Sequence, residues 1–374
     1  MDKHLHIVTH DIPWPADYGG VVDLFYKIRS LHSLGVRIQL HCYYKPGRKE
    51  QTELLKYCEA VYYYRRKKNV WGLSLNTPYI VQSRSDKNLL NRLQEDNHPV
   101  LLEGIHCTYL LKKGSLGNRK IFVRLHNVEY KYYGQLAKHE SNIFKKIYFL
   151  YESFLLKKYE KHIANKAQFW AVSTEDAELY KTVFNANSID FLPVFLPWDE
   201  VSTQGGKGCF CLYHGNLAVN ENEKAADWLL NNVFNSLEIP FVIAGKDPSH
   251  PLQALAHSHP HTCMAVNPTD EEMQDLIKKA QVNILPSFNK TGVKLKLLNA
   301  LYNGRHCLVN EAGKDGASIE GLCHVAETAD DFKKQVEKLF QQDITAEQLQ
   351  QRQQSLQAMY DNEKNARQLI AWIY

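Results

Sequence analysis

Short apolar runs alternate with segments whose apolar residues recur every three or four positions along the whole chain. The runs predict strands at His4–Thr9, Val36–Tyr44, Val61–Lys68, Pro99–Ile105, Lys120–Leu125, Phe169–Ser173 and Ile189–Phe195. Helical spacing predicts a helix over Val21–Leu34, with Leu24, Phe25, Ile28, Leu31 and Leu34 on one face and Gly35 behind it. Others follow at Asp86–Gln94, at Thr174–Thr182 behind a Ser173 or Thr174 cap, and from Tyr130 to Lys166 with a break near Ser141-Asn142. Strands joined by helices pair in parallel, since a crossover returns the chain to the same end of the sheet. From Leu196 to Gly208 the pattern lapses into turn residues, LPWDEVSTQGGKG, which reads as a linker.

The rhythm then restarts. Strands are expected at Cys209–His214, Ile239–Ala244, Thr262–Val266, Ile284-Leu285, His306–Asn310 and around Val325. Helices are expected at Asn222–Asn235, Leu252–His257, Val293–Leu301 with Gly304 as its stop, Asp330–Gln342, and from Asp270, as cap, to Ala280. The tail, Thr345–Tyr374, reads as a glutamine-rich helix ending in the apolar LIAWIY, an end that has to dock, expectedly on the first half. The organisation expected is α/β: two Rossmann-like doubly wound domains, 1–195 and 209–344, a linker at 196–208, and a helical tail at 345–374 returning to the first domain.

Composition changes this picture little. A chain of 374 residues, 44% hydrophobic and 23% charged, suits two globular domains. Lys plus Arg (45) against Asp plus Glu (41) gives +4, too mild to point to nucleic acid, so any basic function has to be local. It is local between Lys131 and Lys166, where eight lysines face Glu140, Glu152 and Glu160. The stretch Lys145–Lys161 interleaves lysines with aromatic and aliphatic residues. It suits an anionic membrane surface, and it equally suits a core stripe with a solvated lysine face. No apolar run approaches the ~20 residues of a membrane span, and MDKHLHIVTH opens on a strand without a signal-peptide apolar region. The eight cysteines are scattered without a C-x-x-C pair, and Cys209 and Cys211 fall in an apolar run. They read as buried thiols of a reducing compartment. A cytoplasmic chain is expected, with peripheral attachment to the inner face of the membrane as the alternative left open.

The candidate chemistry centres on Asn283–Gly304, NILPSFNKTGVKLKLLNALYNG. A strand feeding a polar turn and then a helix N-terminus aims unpaired N–H groups and a positive partial charge beyond the strand end, which makes an anion site. Lys294 and Lys296 near that N-terminus oppose the helix dipole, and a nearby phosphate would account for them. Gly19-Gly20, at an earlier strand-to-helix turn, either lets a ligand approach the backbone or serves as a plain turn. His126, in RLHNVE, lies at the carboxyl end of a strand, where ligands of open α/β sheets bind. GGKG in the linker precedes a strand and so cannot be a phosphate loop. His257, His259 and His261 lack acidic or sulfur partners, and no Asp-x-Asp occurs, so no metal is expected.

The order and spacing of DYGG, RLHNVEYKYY, AVSTEDAELY, YHGNLAVNENEKAADWL, VIAGK, ILPSFNKTGVKLKLLNALYNGRHCLVN and EGL resemble the retaining glycosyltransferases of the GT-B fold, in particular glycosyltransferase family four. The resemblance implies two domains facing across a cleft, with a UDP- or GDP-linked sugar as donor substrate and no cofactor. The acceptor would be a glycan or lipid-linked molecule of polysaccharide assembly. It implies that Gly292, Val293 and Lys296 hold the diphosphate, Gly215, Asn216 and Lys246 line the donor, and Glu320 lies near the nucleotide. Gly19 and Gly20 would approach the sugar-phosphate, and His126, with Lys296, would be catalytic. One departure stands out. The paired glutamates of the family fall at Thr291 and Asn299, which leaves a non-catalytic or partner-dependent binding subunit as the main competing reading, with an epimerase or phosphorylase as a third.

Overall fold

The computed structural model describes residues 2–45, 47–67, 76–140, 142–317 and 319–374, so Lys68, the last residue of the expected third strand, and Ser141 lie outside the described residues. Two compact units form, one from Met1–Pro197 with Tyr360–Tyr374, the other from Trp198–Met359. In the first unit the strands are β1 (Lys3–Thr9), β2 (Val36–Tyr44), β3 (Ala60–Arg65), β4 (Val100–Glu103), β5 (Ile121–Leu125), β6 (Gln168–Ala171) and β7 (Ile189–Phe191). They make one parallel sheet in the order β3-β2-β1-β4-β5-β6-β7. The second unit has β8 (Cys211–Asn216), β9 (Phe241–Lys246), β10 (Thr262–Val266), β11 (Val282–Ile284), β12 (His306–Val309) and β13 (His324–Val325). Its parallel order is β10-β9-β8-β11-β12-β13. Both are Rossmann-type orders, with the strand order reversing between β1 and β4 and again between β8 and β11. Those two reversals are where such sheets bind ligands, at the carboxyl ends of the strands.

Helices cover both faces of the first sheet, which is why its strands read as continuous apolar runs. One face buries Val8, Leu102, Val123, Phe169 and Tyr180. The other buries Leu5, Ile7, Phe25, Ile28, Phe122 and Trp170 together with Ala366, Leu369, Ile370 and Ile373. The last four belong to the helix Asn362–Ile373, so the end of the chain packs in the first unit. Trp170 stacks between Phe122 (centroids 4.7 Å) and Trp372 (5.6 Å), Lys120 Nζ donates to the Ile373 carbonyl, and Tyr374 Oη to that of His4. Where one tail helix was expected there are two, Ala346–Tyr360 and Asn362–Ile373, because Asp361 accepts from Lys364 N and caps a new start.

Local chemistry explains the other boundaries. Asn142 accepts from Phe144 N and Lys145 N, which separates helix Glu129–His139 from helix Ile143–Ile163. The cap of helix Asp270–Lys279 is Thr269, through a reciprocal box with Glu272, and not Asp270. Gly304 does end its helix, but with φ −97°, outside the left-handed region. Glycine is needed there for space, since an added Cβ would lie 2.3 Å from Asn283 Nδ2 and 2.9 Å from the Ala300 carbonyl. Cys209 is exposed, not buried as expected, because β8 starts two residues later at Cys211. Among the described residues no helix is long and apolar enough to cross a membrane.

Candidate functional site

In the second unit β8 ends in Gly215-Asn216, and Asn216 pairs with Lys246 at the end of β9. The turn after β11 is built by side chains. Ser287 Oγ donates to Glu221 Oε1 (2.9 Å) and Asn289 Nδ2 to Glu221 Oε2 (3.3 Å), while Asn289 Oδ1 accepts from Thr291 N (3.0 Å) and Thr291 Oγ1 (2.8 Å). Gly292 follows at φ +65°, a left-handed conformation that glycine adopts without the Cβ strain of other residues. Helix Leu295–Asn303 then starts with no side-chain cap on its first amides. Val293 thus belongs to the turn and not to the helix. The two lysines part company here. Lys294 Nζ folds back on the Thr291 and Gly292 carbonyls. Lys296 Nζ reaches Asn222 Oδ1 (3.1 Å) and Tyr213 Oη (3.4 Å) and lies 4.9 Å from the Tyr213 ring centre.

Lys296 has no carboxylate at ion-pair distance among the described residues; the ion pairs of this unit join other lysines to Asp343, Asp275 and Glu311. Burial, helped by Lys294 and opposed by Glu221, pulls its ammonium down to about 8. His214, buried beside it, is pushed down to about 3 by burial and by the Lys296 charge. A cation without a counter-ion at a helix start and a strand-order reversal is a receptor for a dispersed negative charge. Glu320 is exposed, and its charge acts on Lys314. Asn299 accepts from Asn303 Nδ2 (2.8 Å), and Thr291 is committed to Asn289, so both positions of the missing glutamates are tied up internally.

The first unit places its own cluster at the carboxyl ends of β1, β4 and β5. Gly19 and Gly20 open helix Gly19–Ser33, and a Cβ on Gly20 would lie 3.2 Å from His10 Nε2. The His10 ring is 5.5 Å from that of His126 and 5.3 Å from that of His106. His126 is itself held: Nε2 faces Glu103 Oε2 at 3.0 Å and Nδ1 faces Asp23 Oδ2 at 3.7 Å. Beneath it Lys27 Nζ bridges Asp23 and Glu103, 2.9 Å from each, and Arg124 meets Asp23 at 3.3 Å. For Asp23 burial works upward, but Arg124, Lys27 and His126 outweigh it and hold the carboxyl well below its usual range. Asp23, Glu103 and His126 bring ligand atoms within 4.8 Å of one another, a geometry that suits a cation, and the Lys27 ammonium already lies against both carboxylates.

Sequence reasoning missed Asp23, Lys27, Glu103, His10 and His106. A signal existed for the first two, since charges four apart beside Leu24 and Ile28 on an apolar face mark a buried pair. It also missed Asn222, Tyr213 and Glu221, which only the parallel pairing of β8 brings to Lys296.

Comparison with known proteins bears on the fold and the class. Residues 209–342 match the family described as glycosyl transferases group 1. A Klebsiella pneumoniae protein, an uncharacterized 44.6 kDa protein in the cps region, is 29% identical over 328 residues, covering 83% of each chain. Sucrose-phosphate synthase from Thermosynechococcus elongatus has a similar structure, with TM-score 0.71 and 12% identity over 98% of this chain and 97% of that one. TarM is similar at TM-score 0.69 and 8% identity, over 100% and 99% of the two chains. So is an E. coli trehalose-6-phosphate structure bound with UDP-2-fluoro glucose, at 0.67 and 9%, over 99% of each. At these identities the structures speak for the fold. Fold, family match and the cps-region relative together support a GT-B glycosyltransferase, and hence glycosyl transfer, as the class of this chain.

Proposed function

We propose that the chain moves a hexosyl group from a UDP- or GDP-linked donor to a glycan or lipid-linked acceptor in polysaccharide assembly, with retention and without a metal. The single observation that carries this reading is the Lys296 ammonium, in the uncapped first turn of its helix and with no carboxylate at ion-pair distance among the described residues. When the sugar–phosphate bond breaks, negative charge gathers on the departing diphosphate. A fixed cation and aimed amides stabilise that state more than the ground state. Gly292, Val293, Gly215, Asn216 and Lys246 are assigned to the donor, Glu320 to the nucleotide, Gly19 and Gly20 to the sugar-phosphate, and His126 to the transferred sugar. The lysine-rich helix Ile143–Ile163 is assigned to an anionic membrane surface on the cytoplasmic side.

Calorimetry with UDP- and GDP-sugars, followed by turnover with acceptor in the presence of EDTA, tests the proposal. Donor binding that is lost in Lys296→Ala, and turnover that falls further than binding in His126→Ala, support it. The internal commitment of Thr291 and Asn299 favours a second reading, a non-catalytic binding subunit. Tight donor binding with no turnover on any acceptor, membranes included, would select that one.

A further inference from the structure

A second set of cations gathers in the first unit, and nothing above uses it. Lys45 follows β2, Arg66 follows β3, and Arg84 follows the short helix Tyr79–Gln82. Backbone bonds hold these segments together: Arg66 N donates to the Tyr44 carbonyl (3.0 Å) and Lys67 N to that of Ser83 (2.8 Å). The Arg84 guanidinium donates twice to the His10 carbonyl (3.0 and 3.2 Å) and once to that of Ile80 (2.7 Å), which ties it to the end of β1. His10 lies in turn against His106, after β4. All five groups therefore sit at the carboxyl edge of the sheet around its order reversal.

None of the three cations has a carboxylate at ion-pair distance among the described residues. The nearby acids are engaged elsewhere: Asp11 and Asp17 with Arg48, Asp96 with His6 and Arg119, Asp23 and Glu103 with Lys27. Arg66 Nε and His10 Nδ1 are buried without a hydrogen-bond partner, and His106 Nδ1 has only the Glu129 carboxylate, at 4.0 Å. Uncompensated charge in such surroundings is not favoured by stability alone.

We infer that this edge, on Arg66 and Lys45 with Arg84 behind them, binds an anionic group carried by the acceptor, a phosphate ester or a sugar carboxylate. Arg66 offers the planar fork that such oxyanions take. Arg84, anchored by three hydrogen bonds to carbonyls, adds a fixed charge beside them. The groups repel one another: Lys45 is lowered by burial, then by Arg66 and Arg84, and Arg84 is lowered to about 10 by burial and Arg66, in both cases against the pull of Asp11. Burial and the neighbouring charges keep His10 and His106 well below the ordinary histidine range, so both are neutral donors or acceptors at pH 7. Glu129, 4.0 Å from His106, is pushed up to about 8 by burial and by Glu160 and so does not cancel the field.

The word acceptor rests on the glycosyl-transfer reading; the anion site does not. The test titrates the full chain at low ionic strength with glucose 6-phosphate, glucuronate and glucose, and separately with UDP. Saturable binding of either charged sugar, absent with glucose, is expected. Arg66→Gln and Lys45→Gln should each weaken it by about tenfold, the scale of one charge-assisted hydrogen bond, and leave UDP binding unchanged. Arg66→Lys should recover part of the loss. Lys45 is exposed, so its variant decides the matter if Arg66→Gln fails to fold. Phosphatidylglycerol vesicles distinguish a lipid-borne anion, since vesicle binding that falls in Arg66→Gln also upholds the site. Equal response to charged and neutral sugar, unchanged affinity in both variants, or vesicle binding indifferent to Arg66→Gln as the sole response would overturn it. Loss of UDP binding alone would remove the donor reading and leave this site in place.

Discussion

The Lys296 ammonium rests on Asn222 Oδ1 at 3.1 Å, while the adjacent Glu221 gives both carboxylate oxygens to Ser287 and Asn289. The charge of the lysine is thereby left available, and it titrates near pH 8. Below that pH the free protein carries the charge that a diphosphate needs. As pH rises through 8 the free protein loses it and must take up a proton to bind, so affinity falls, approaching tenfold per pH unit. UDP calorimetry between pH 6.5 and 9.5 should show this decline, and Lys296→Arg, charged throughout, should remove it.

Glu129 gives a stability signature of opposite origin. Burial and Glu160 raise it to about 8, from an ordinary value of 4.5. The folded state therefore binds more protons between those values, and its stability is full below 4.5 and declines as pH rises toward 8. Glu129→Gln should match the wild type at pH 5 and exceed it increasingly at pH 6.5 and 8, by up to about 1.4 kcal/mol per pH unit. Urea unfolding midpoints at the three pH values check the sign.

Lys27→Met should damage the first unit far more than its conservative volume suggests. Both partners, Asp23 and Glu103, are buried and would be left with only Arg124 and His126 against their charges. Removing one member of a buried charge set costs about 3–5 kcal/mol, so a strongly lowered melting temperature or insoluble protein is expected.

Gly304→Ala tests the far end of the helix whose start carries the proposed donor site. The methyl would collide with Asn283 Nδ2 and the Ala300 carbonyl, neither free to move far in a buried turn. A loss of about 1–3 kcal/mol is expected from such overpacking, read by thermal unfolding.

Helix Ile143–Ile163 buries Leu155, Leu156, Tyr159 and Ile163 on one face. On the other, Ile143, Ile147, Leu150 and Phe154 are each more than half exposed and Phe144 is 80% exposed, beside exposed Lys145, Lys157, Lys158 and Lys161. Single apolar side chains on a surface are ordinary, but a row of five is not. Phe144→Asp with Ile147→Asp, and separately Lys157→Glu with Lys158→Glu, should release the protein from anionic vesicles in a flotation assay. An unmodified protein that ignores such vesicles would end the membrane proposal.

The alternation of apolar runs and helical periods was enough to read two parallel sheets, because strands covered on both faces stay mostly apolar even where a buried His6, His41, Glu103 or Arg124 interrupts the run. The turn at Asn283–Gly304 was legible for the same reason, as an apolar strand stopped by Pro286 and Ser287 ahead of a periodic helix. What stayed hidden was pairing at a distance. Asn222 and Tyr213 lie 74 and 83 positions from Lys296, and no local rule connects them. The charge network beneath His126 was hidden differently: Lys27 sits among apolar neighbours whose spacing alone predicted the helix, so the charge passed as an interruption. Gly304 reads correctly as a stop, but a left-handed cap and a tight backbone approach look identical in one letter, and the structure shows the second.

The helix Asn362–Ile373 completes a core whose other members lie within the first 195 residues. During synthesis the second unit, Trp198–Met359, is continuous and can close as soon as it leaves the ribosome. The first must wait for the final segment, with Leu5, Phe25 and Phe122 unsheltered in the meantime. A nascent chain halted before Asn362 should engage chaperones and resist refolding, whereas the middle segment expressed alone should fold unaided.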